Sequence, residues 1–177
     1  ICKLLRTRGH EVLFAGHGKY LQAATWDDFP IQDVPYMPVE QAVQAIKSQK
    51  LWELYPQRQL EEFIEAELAL YRSFNPDLVL IDNRITARTS SDYAGLPTVA
   101  VVNVHMSVYK RYPFFSASNY LDENAFPSVA RLDRLCNAGE CMVYDKLVMG
   151  GLNRVRREMG LDRLFSYEHE EGRSTLF

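Results

Sequence analysis

Two spacings of hydrophobic residues alternate along the chain, and they predict helices and strands in turn. The clearest helix covers residues 57–74, where apolar side chains recur every three or four positions. That stripe consists of Leu60, Phe63, Ile64, Leu68 and Tyr71. The same pattern assigns four glutamates to the solvent side of the helix, namely Glu61, Glu62, Glu65 and Glu67.

A strand, a short helix and a second strand follow this helix. The segment "NPDLVLID" at 75–82 is a turn and a buried strand, "ARTSSDYAG" at 87–95 is a short helix that ends at Gly95, and "LPTVAVVNV" at 96–104 is the second strand. Continuous apolar runs rich in β-branched residues are typical of strands buried on both faces of a parallel sheet. The pattern therefore predicts a βαβ unit and an α/β fold.

The remaining elements follow from weaker patterns. Residues 1–8 are predicted as a helix, 11–16 as a short strand, 31–36 as a strand or extended segment, and 39–55 as a broken helical stretch. Residues 105–127 are predicted as a long loop, which in compact domains is usually functional or mobile. Residues 128–160 are predicted as two helical pieces that break near Gly150 and Gly151.

Composition narrows the class of protein. Of the 177 residues, 47% are hydrophobic, which is enough to form one domain with a full core. The predicted domain covers residues 1–177. The net charge of -3 argues against nucleic acid as a partner, because phosphate binding needs a concentrated basic face. Three cysteines argue against a disulfide framework and favour a reducing, cytoplasmic setting. No apolar run has the length of a membrane span, and no carboxylate cluster suits Mg²⁺.

Candidate chemistry lies where the predicted strands end, because ligands of open parallel sheets bind beyond the carboxyl ends of the strands. Loops leave such ends at residues 15–20, 82–87 and 103–115. In the middle loop, Asp82, Asn83 and Arg84 are expected at the mouth of a cleft. Asp82 is the candidate catalytic residue, since a carboxylate there can orient a histidine during proton abstraction. The alternative is that Asp82 caps the following helix or pairs with Arg84.

Histidines in the other loops and in the tail have more than one interpretation. His17 lies between two glycines, and the open backbone at Gly18 suits close approach of a ligand. The alternative for His17 is a histidine in a surface turn. His105 follows a buried strand, where it is either a pocket group or a satisfied histidine at the rim. His169 lies in a charged tail and is predicted to be solvated.

Aromatic residues are concentrated in the 105–127 loop. They either line an apolar pocket for a flat ligand or pack the loop against the C-terminal helix. The residues concerned are Tyr109, Tyr112, Phe114 and Phe115. The sequence contains neither a GxGxxG motif nor a Walker loop, so nothing indicates an independent nucleotide-binding domain.

Three segments together resemble the N-terminal half of GT-B glycosyltransferases, in the UDP-glycosyltransferase and macrolide-glycosyltransferase-like group. They are "LLRTRGHEVLFAG", "NPDLVLIDNRITARTSSDYAGLPTVAVVN" and "LNRVRREMGL", and their order and spacing match over nearly the whole chain. The resemblance implies a Rossmann-like three-layer sandwich with a mostly parallel sheet. It also implies that the first strand, with the loop that carries a general-base histidine, lies upstream of Ile1. The chain is then expected to be a fragment of a larger two-domain protein.

The resemblance further implies an activity and a role for Asp82, which falls at the position of the family aspartate that pairs with the base. That base deprotonates an acceptor hydroxyl, which attacks a nucleotide sugar with inversion. The implied partners are a small, apolar acceptor and a nucleotide-sugar donor such as a UDP-sugar. The donor binds mainly to the other half, without a further cofactor or a metal. The fragment alone is expected to be inactive.

Two other interpretations remain open. Some transferases split their two halves across two chains, and this chain would then be a non-catalytic binding or scaffold subunit, with peripheral membrane contact in some cases. The third interpretation is an unrelated Rossmann-like binder of small molecules.

Overall fold

The computed structural model describes residues 1–18, 21, 28–110, 113, 128–172 and 174–176. Within these residues the α-helices are α1 (Cys2–Thr7), α2 (Val39–Lys47), α3 (Gln57–Phe74), α4 (Ala87–Ala94), α5 (Val129–Leu147) and α6 (Met149–Glu158). The strands are β1 (Phe14–Gly16), β2 (Ile31–Asp33), β3 (Val79–Ile81), β4 (Thr98–Val101) and β5 (Ser174–Leu176). Short 3-10 helices cover Leu51–Glu53, Val104–Met106 and Glu168–Glu170.

The chain divides into two compact units, Ile1–Val39 and Glu40–Phe177. The first unit is built on the parallel pair of β1 and β2. Phe29 is buried beside this pair, and its ring contacts the ring of Phe14 edge-on with 5.1 Å between centroids. The interpretation of residues 1–177 as one domain stays a prediction.

The second unit carries a parallel sheet in the order β3-β4-β5. Helix α4 connects β3 to β4 and ends at Gly95, which adopts the left-handed conformation with φ of 70°. Glycine is favoured at this position after a helix because it has no Cβ to clash there. The predicted βαβ unit and the α/β fold class with a parallel sheet are confirmed.

Strand β3 buries only one of its two faces among the described residues. Ile81 is 1% exposed and packs with Ala87 of α4 and Ala100 of β4. Leu80 is 37% exposed. Successive side chains of a strand point to opposite faces, and α4 covers only the face that carries Ile81. The expectation that this strand is buried on both faces is therefore wrong.

Helix α3 has the predicted bounds and provides most of the core contacts of the second unit. Its apolar stripe is confirmed, since Leu60, Phe63 and Ile64 are buried. Leu60 and Ile64 pack in one cluster with Met149 and Leu152 of α6. Burying a side chain of this size contributes about 1.5–3 kcal/mol, so the contact between α3 and α6 stabilises the unit substantially.

The last two helices meet at Val148, just before the predicted break. Gly150 and Gly151 instead lie in the first turn of α6. A Cβ built at Gly151 would lie 2.9 Å from the carbonyl oxygen of Tyr55, which is too close for a real Cβ. A Cβ at Gly150 would have nothing within 4 Å. Gly151 therefore permits the close approach of α6 to the backbone that precedes α3.

Replacing Gly151 by Ala should lower the free energy of unfolding by about 1–3 kcal/mol, because the added methyl group meets backbone rather than a flexible side chain. Gly150→Ala is the matched control in the same helical turn. It should leave stability unchanged or raise it by up to about 1 kcal/mol, through helix propensity alone. Urea unfolding of the two variants measures the difference, and equal stabilities would contradict the close approach.

Candidate functional site

The loops that follow β3 and β4 leave the sheet at one edge. The two strands are parallel neighbours with Ile81 opposite Ala100, so their carboxyl ends are side by side. Ligands of open parallel sheets bind beyond such ends. The second predicted loop and the described start of the third, residues 103–110, therefore leave the sheet side by side. The loop after β1 leaves the separate sheet of the first unit.

Asp82 directly follows β3 and is exposed. Within the described ranges its carboxylate has no hydrogen bond and no ion pair with another residue. Thr86 occupies the N-cap position of α4, and no side chain makes a capping hydrogen bond to the first turn of that helix. Arg84 forms an ion pair with Glu67. Asp82 thus adopts neither of the structural roles considered for it, and its catalytic role stays a prediction.

Arg84 points towards α3. Its Nε donates to Oε1 of Glu67 at 2.5 Å, and its guanidinium carbon lies 5.4 Å from the ring centroid of Phe63. The side chains of Arg84 and Glu67 are 13% and 5% exposed. A buried charge is costly unless it is paired, so this contact ties the loop after β3 to α3. A contact between Arg84 and a ligand stays a prediction.

Glu67 accepts further hydrogen bonds from the hydroxyl groups of Thr86, at 2.5 Å, and Ser90. The expectation that Glu67 faces solvent is wrong, because this residue is 4% exposed. A signal for its burial was present in the sequence. Glu67 lies three residues after Ile64 and four before Tyr71, which places it on the apolar stripe of the helix.

Apart from Ala87, the residues that helix α4 and its N-cap bury carry hydroxyl groups. The fully buried residues are Thr86, Thr89, Ser90 and Ser91. The hydroxyl oxygens of Ser91 and Tyr71 are 3.2 Å apart and share a hydrogen bond. Burial, with a smaller effect from the charge of Glu67, raises the pKa of Tyr71 to about 12. Tyr71 is therefore a neutral hydrogen-bonding group between α3 and α4 at physiological pH.

Arg156 joins α6 to α4. Its Nη1 donates to the hydroxyl of Thr89 at 3.1 Å, and its Nη2 donates to Oδ2 of Asp92 at 3.0 Å. Its Nε donates to the carbonyl oxygen of Asp162 at 2.7 Å. Burial lowers the pKa of Arg156, while Asp92 favours the charged form. Helix α4 is thus held through polar contacts by both α3 and α6.

In the first unit, His17 is paired with a residue that the sequence analysis did not identify. Its Nδ1 lies 2.8 Å from Oδ1 of Asp33, and both side chains are more than half exposed. Gly18 adopts φ of 78°, a conformation that favours glycine. Binding of a ligand at His17 and Gly18 stays a prediction.

The other predicted binding residues belong to the second unit. Asn83, His105 and Tyr109 are exposed, and Asn83 adopts a left-handed φ of 50°. The residues that lie outside the described part of the chain are Tyr112, Phe114 and Phe115. An aromatic pocket in this loop therefore stays a prediction.

His169 is buried, so the expectation that it is solvated is wrong. It is 1% exposed, and its ring is stacked near the rings of Tyr144 and Tyr167. Its Nδ1 donates to the carbonyl oxygen of Ser166 at 3.1 Å, and its Nε2 lies 3.2 Å from the hydroxyl of Tyr144. Burial raises the pKa of Tyr144. These contacts fix the segment that leads to β5 against α5.

Neither a metal-binding cluster nor a membrane-spanning helix is found in the ranges that the structure describes. No group of three or more His, Cys, Asp or Glu residues in those ranges is arranged to hold a metal ion. None of the helices there is both long and apolar enough to cross a membrane.

The chain is similar in sequence to curated glycosyltransferases. It is 33% identical over 115 residues to a PGL/p-HBAD biosynthesis rhamnosyltransferase of Mycobacterium bovis (strain BCG / Pasteur 1173P2), which covers 62% of this chain and 24% of that protein. It is 29% identical over 105 residues to an inactive PGL/p-HBAD biosynthesis glycosyltransferase of the same strain, which covers 59% and 28%. The chain thus spans about a quarter of the length of these relatives. No protein-family model matches it.

A solved structure supplies the fold. The structure of the glycosyltransferase VinC in complex with DTDP superimposes on this chain with a TM-score of 0.51 and 18% sequence identity. The match covers 97% of this chain and 42% of the VinC chain. The chain therefore has the fold of one part of a GT-B glycosyltransferase. The resemblance to GT-B glycosyltransferases that the sequence motifs indicated is thereby confirmed for the fold. Asp82 lies at the carboxyl end of a strand in the parallel sheet of this GT-B-like fold.

Removing the Glu67 carboxylate from this GT-B-like domain should destabilise it, because the buried guanidinium of Arg84 would lose the carboxylate to which its Nε donates. We expect Glu67→Ala to lower the free energy of unfolding by about 3–5 kcal/mol. Glu65→Ala, at an exposed position of the same helix, should change it by less than about 0.5 kcal/mol. Urea unfolding compares the two variants. Equal effects would contradict the role of Glu67, whereas partial recovery in Glu67→Met with Arg84→Met would support it.

Proposed function

We propose that the full-length protein transfers a sugar from a nucleotide-sugar donor to a hydroxyl group of a small, apolar acceptor, with inversion at the anomeric carbon. The similarity to a PGL/p-HBAD biosynthesis rhamnosyltransferase supports sugar transfer. The DTDP bound by VinC supports a nucleotide-sugar donor. In this proposal residues 1–177 are the acceptor-binding domain.

The observation that carries this proposal is the position of Asp82. It is an exposed carboxylate at the carboxyl end of a parallel strand, and its cationic neighbour Arg84 is already paired with Glu67. In the proposed reaction, Asp82 orients a histidine of the full-length protein. That histidine takes the proton from the acceptor hydroxyl as its oxygen bonds to the anomeric carbon. The bond between the anomeric carbon and the phosphate oxygen of the donor breaks, and the nucleoside diphosphate leaves from the opposite face.

The remaining parts of the proposal concern binding. In the first unit the residues proposed for acceptor binding are His17 and Gly18. In the second unit they are Asn83, Arg84, His105, Tyr109, Phe114 and Phe115. The donor is a co-substrate bound mainly by sequence outside these 177 residues, and we propose neither a further cofactor nor a metal. The isolated chain would then lack transferase activity. A cytoplasmic location is also part of the proposal.

A second candidate function is a non-catalytic binding or scaffold subunit of a two-chain glycosyltransferase. The observation that favours it is the similarity to an inactive PGL/p-HBAD biosynthesis glycosyltransferase, which is 29% identical. The two functions differ in whether Asp82 is needed for turnover, because a scaffold subunit would tolerate its replacement.

Asp82→Asn should lower kcat/KM for sugar transfer by about 10²- to 10⁴-fold in the full-length protein, because the base would lose its orienting charge. Asp77→Asn is the matched control. Asp77 is an exposed carboxylate that precedes β3, and its replacement should leave activity unchanged. The assay uses UDP- and dTDP-sugars with a panel of hydroxylated aromatic acceptors.

The variants also separate the two functions. Equal activity of Asp82→Asn and Asp77→Asn would contradict the role of Asp82. Absence of transfer by the unmodified protein with every donor and acceptor would favour the scaffold function.

A further inference from the structure

A second pair of polar side chains lies at the end of a parallel sheet, in the first unit. His17 directly follows β1, and Asp33 is the last residue of β2. The register places Asp33 opposite Gly16, so the two side chains leave the same edge of adjacent strands. Nδ1 of His17 lies 2.8 Å from Oδ1 of Asp33. The pairing therefore follows from strand register rather than from proximity in sequence.

This contact determines which nitrogen of a neutral His17 carries the proton. A carboxylate only accepts hydrogen bonds, so Nδ1 must be the donor. The other nitrogen, Nε2, then has a free lone pair, because the partner of one ring nitrogen sets the state of the other. Nε2 makes no hydrogen bond within the described part of the chain. An imidazole held in this tautomer is suited to accept a hydrogen bond from a hydroxyl group.

Stability does not account well for this pair. The side chains of His17 and Asp33 are 57% and 68% exposed, and polar pairs that are this exposed usually contribute little to stability, whether or not the histidine is charged. The surroundings instead permit approach by a ligand. His17 is exposed and lies between Gly16 and Gly18, and a Cβ at Gly18 would meet nothing within 4 Å. Because the His17 side chain is 57% exposed, a hydroxyl group can approach its ring from solvent.

We propose that His17 binds a hydroxyl group of the sugar acceptor through Nε2, and that Asp33 is a positioning residue that fixes the required tautomer. This inference rests on the proposed function, since it takes the acceptor to be a hydroxylated small molecule. It adds a specific bond to that function: the acceptor hydroxyl donates, and Nε2 of His17 accepts.

The tautomer is measured first, by ¹⁵N NMR of the histidine side chains at alkaline pH. The chain has four histidines, so the signals can be assigned by single replacements. We expect His17 to be protonated at Nδ1, and we expect this preference to be lost in Asp33→Ala. Gln32→Ala, at the neighbouring exposed position of β2, is the control and should leave the tautomer unchanged. Protonation of His17 at Nε2 would overturn the inference.

Acceptor binding is measured next, in the full-length protein with UDP- and dTDP-sugars and the panel of hydroxylated aromatic acceptors. His17→Gln should raise the acceptor KM by about 3- to 10-fold, as for the loss of one hydrogen bond, with little change in donor hydrolysis. Asp33→Ala should raise the acceptor KM less. His10→Gln should have no effect, because His10 is exposed and precedes β1 at its other end.

The outcomes distinguish this inference from the proposed function. If the unmodified protein transfers sugar and His17→Gln leaves the acceptor KM unchanged, the inference is overturned and the proposed function stands. If the unmodified protein transfers no sugar to any acceptor of the panel, the proposed function fails and the inference fails with it. A raised KM in His17→Gln, together with the Nδ1-protonated tautomer, supports both.

Discussion

The buried carboxylate of Glu67 is the interaction on which the candidate site depends. A carboxylate in a protein core is costly unless charged or hydrogen-bonding partners surround it. Glu67 receives them from Arg84, Thr86 and Ser90. These partners lie in the loop after β3 and in the first turns of α4. One residue of α3 therefore positions both the end of a strand and the start of the following helix.

This ion pair has a consequence for the exposed edge of the sheet. A guanidinium two residues from Asp82 would ordinarily be expected to form an ion pair with the Asp82 carboxylate, but Arg84 is paired with Glu67. Asp82 remains exposed beyond the end of β3, where the loops of two parallel strands meet. Buried ion pairs often add little net stability compared with apolar residues. Their contribution here is positional, because the pair directs one charge of the loop inward and leaves the other accessible.

The sequence predicted the elements whose signals are local. The period of apolar residues gave the bounds of α3, and the apolar runs around "ARTSSDYAG" gave the βαβ unit. The ordered motifs gave the GT-B-like fold. The failures concern polar residues with distant partners. Glu67 was assigned to solvent although its spacing placed it on the buried stripe, and His169 was assigned to solvent because its neighbours are charged. Asp33 was missed because only strand register brings it to His17.

Amide hydrogen exchange in Glu67→Gln tests most directly whether this carboxylate holds α4 in place. The variant keeps the shape of the side chain and removes its charge. In the first turns of α4, the amides of Ala87 and Ser90 donate to the carbonyl oxygens of Arg84 and Thr86. Both amides should exchange at least about tenfold faster, equivalent to about 1.4 kcal/mol, while the amides in the core of α6 keep their rates. Unchanged exchange at Ala87 and Ser90 would contradict the account.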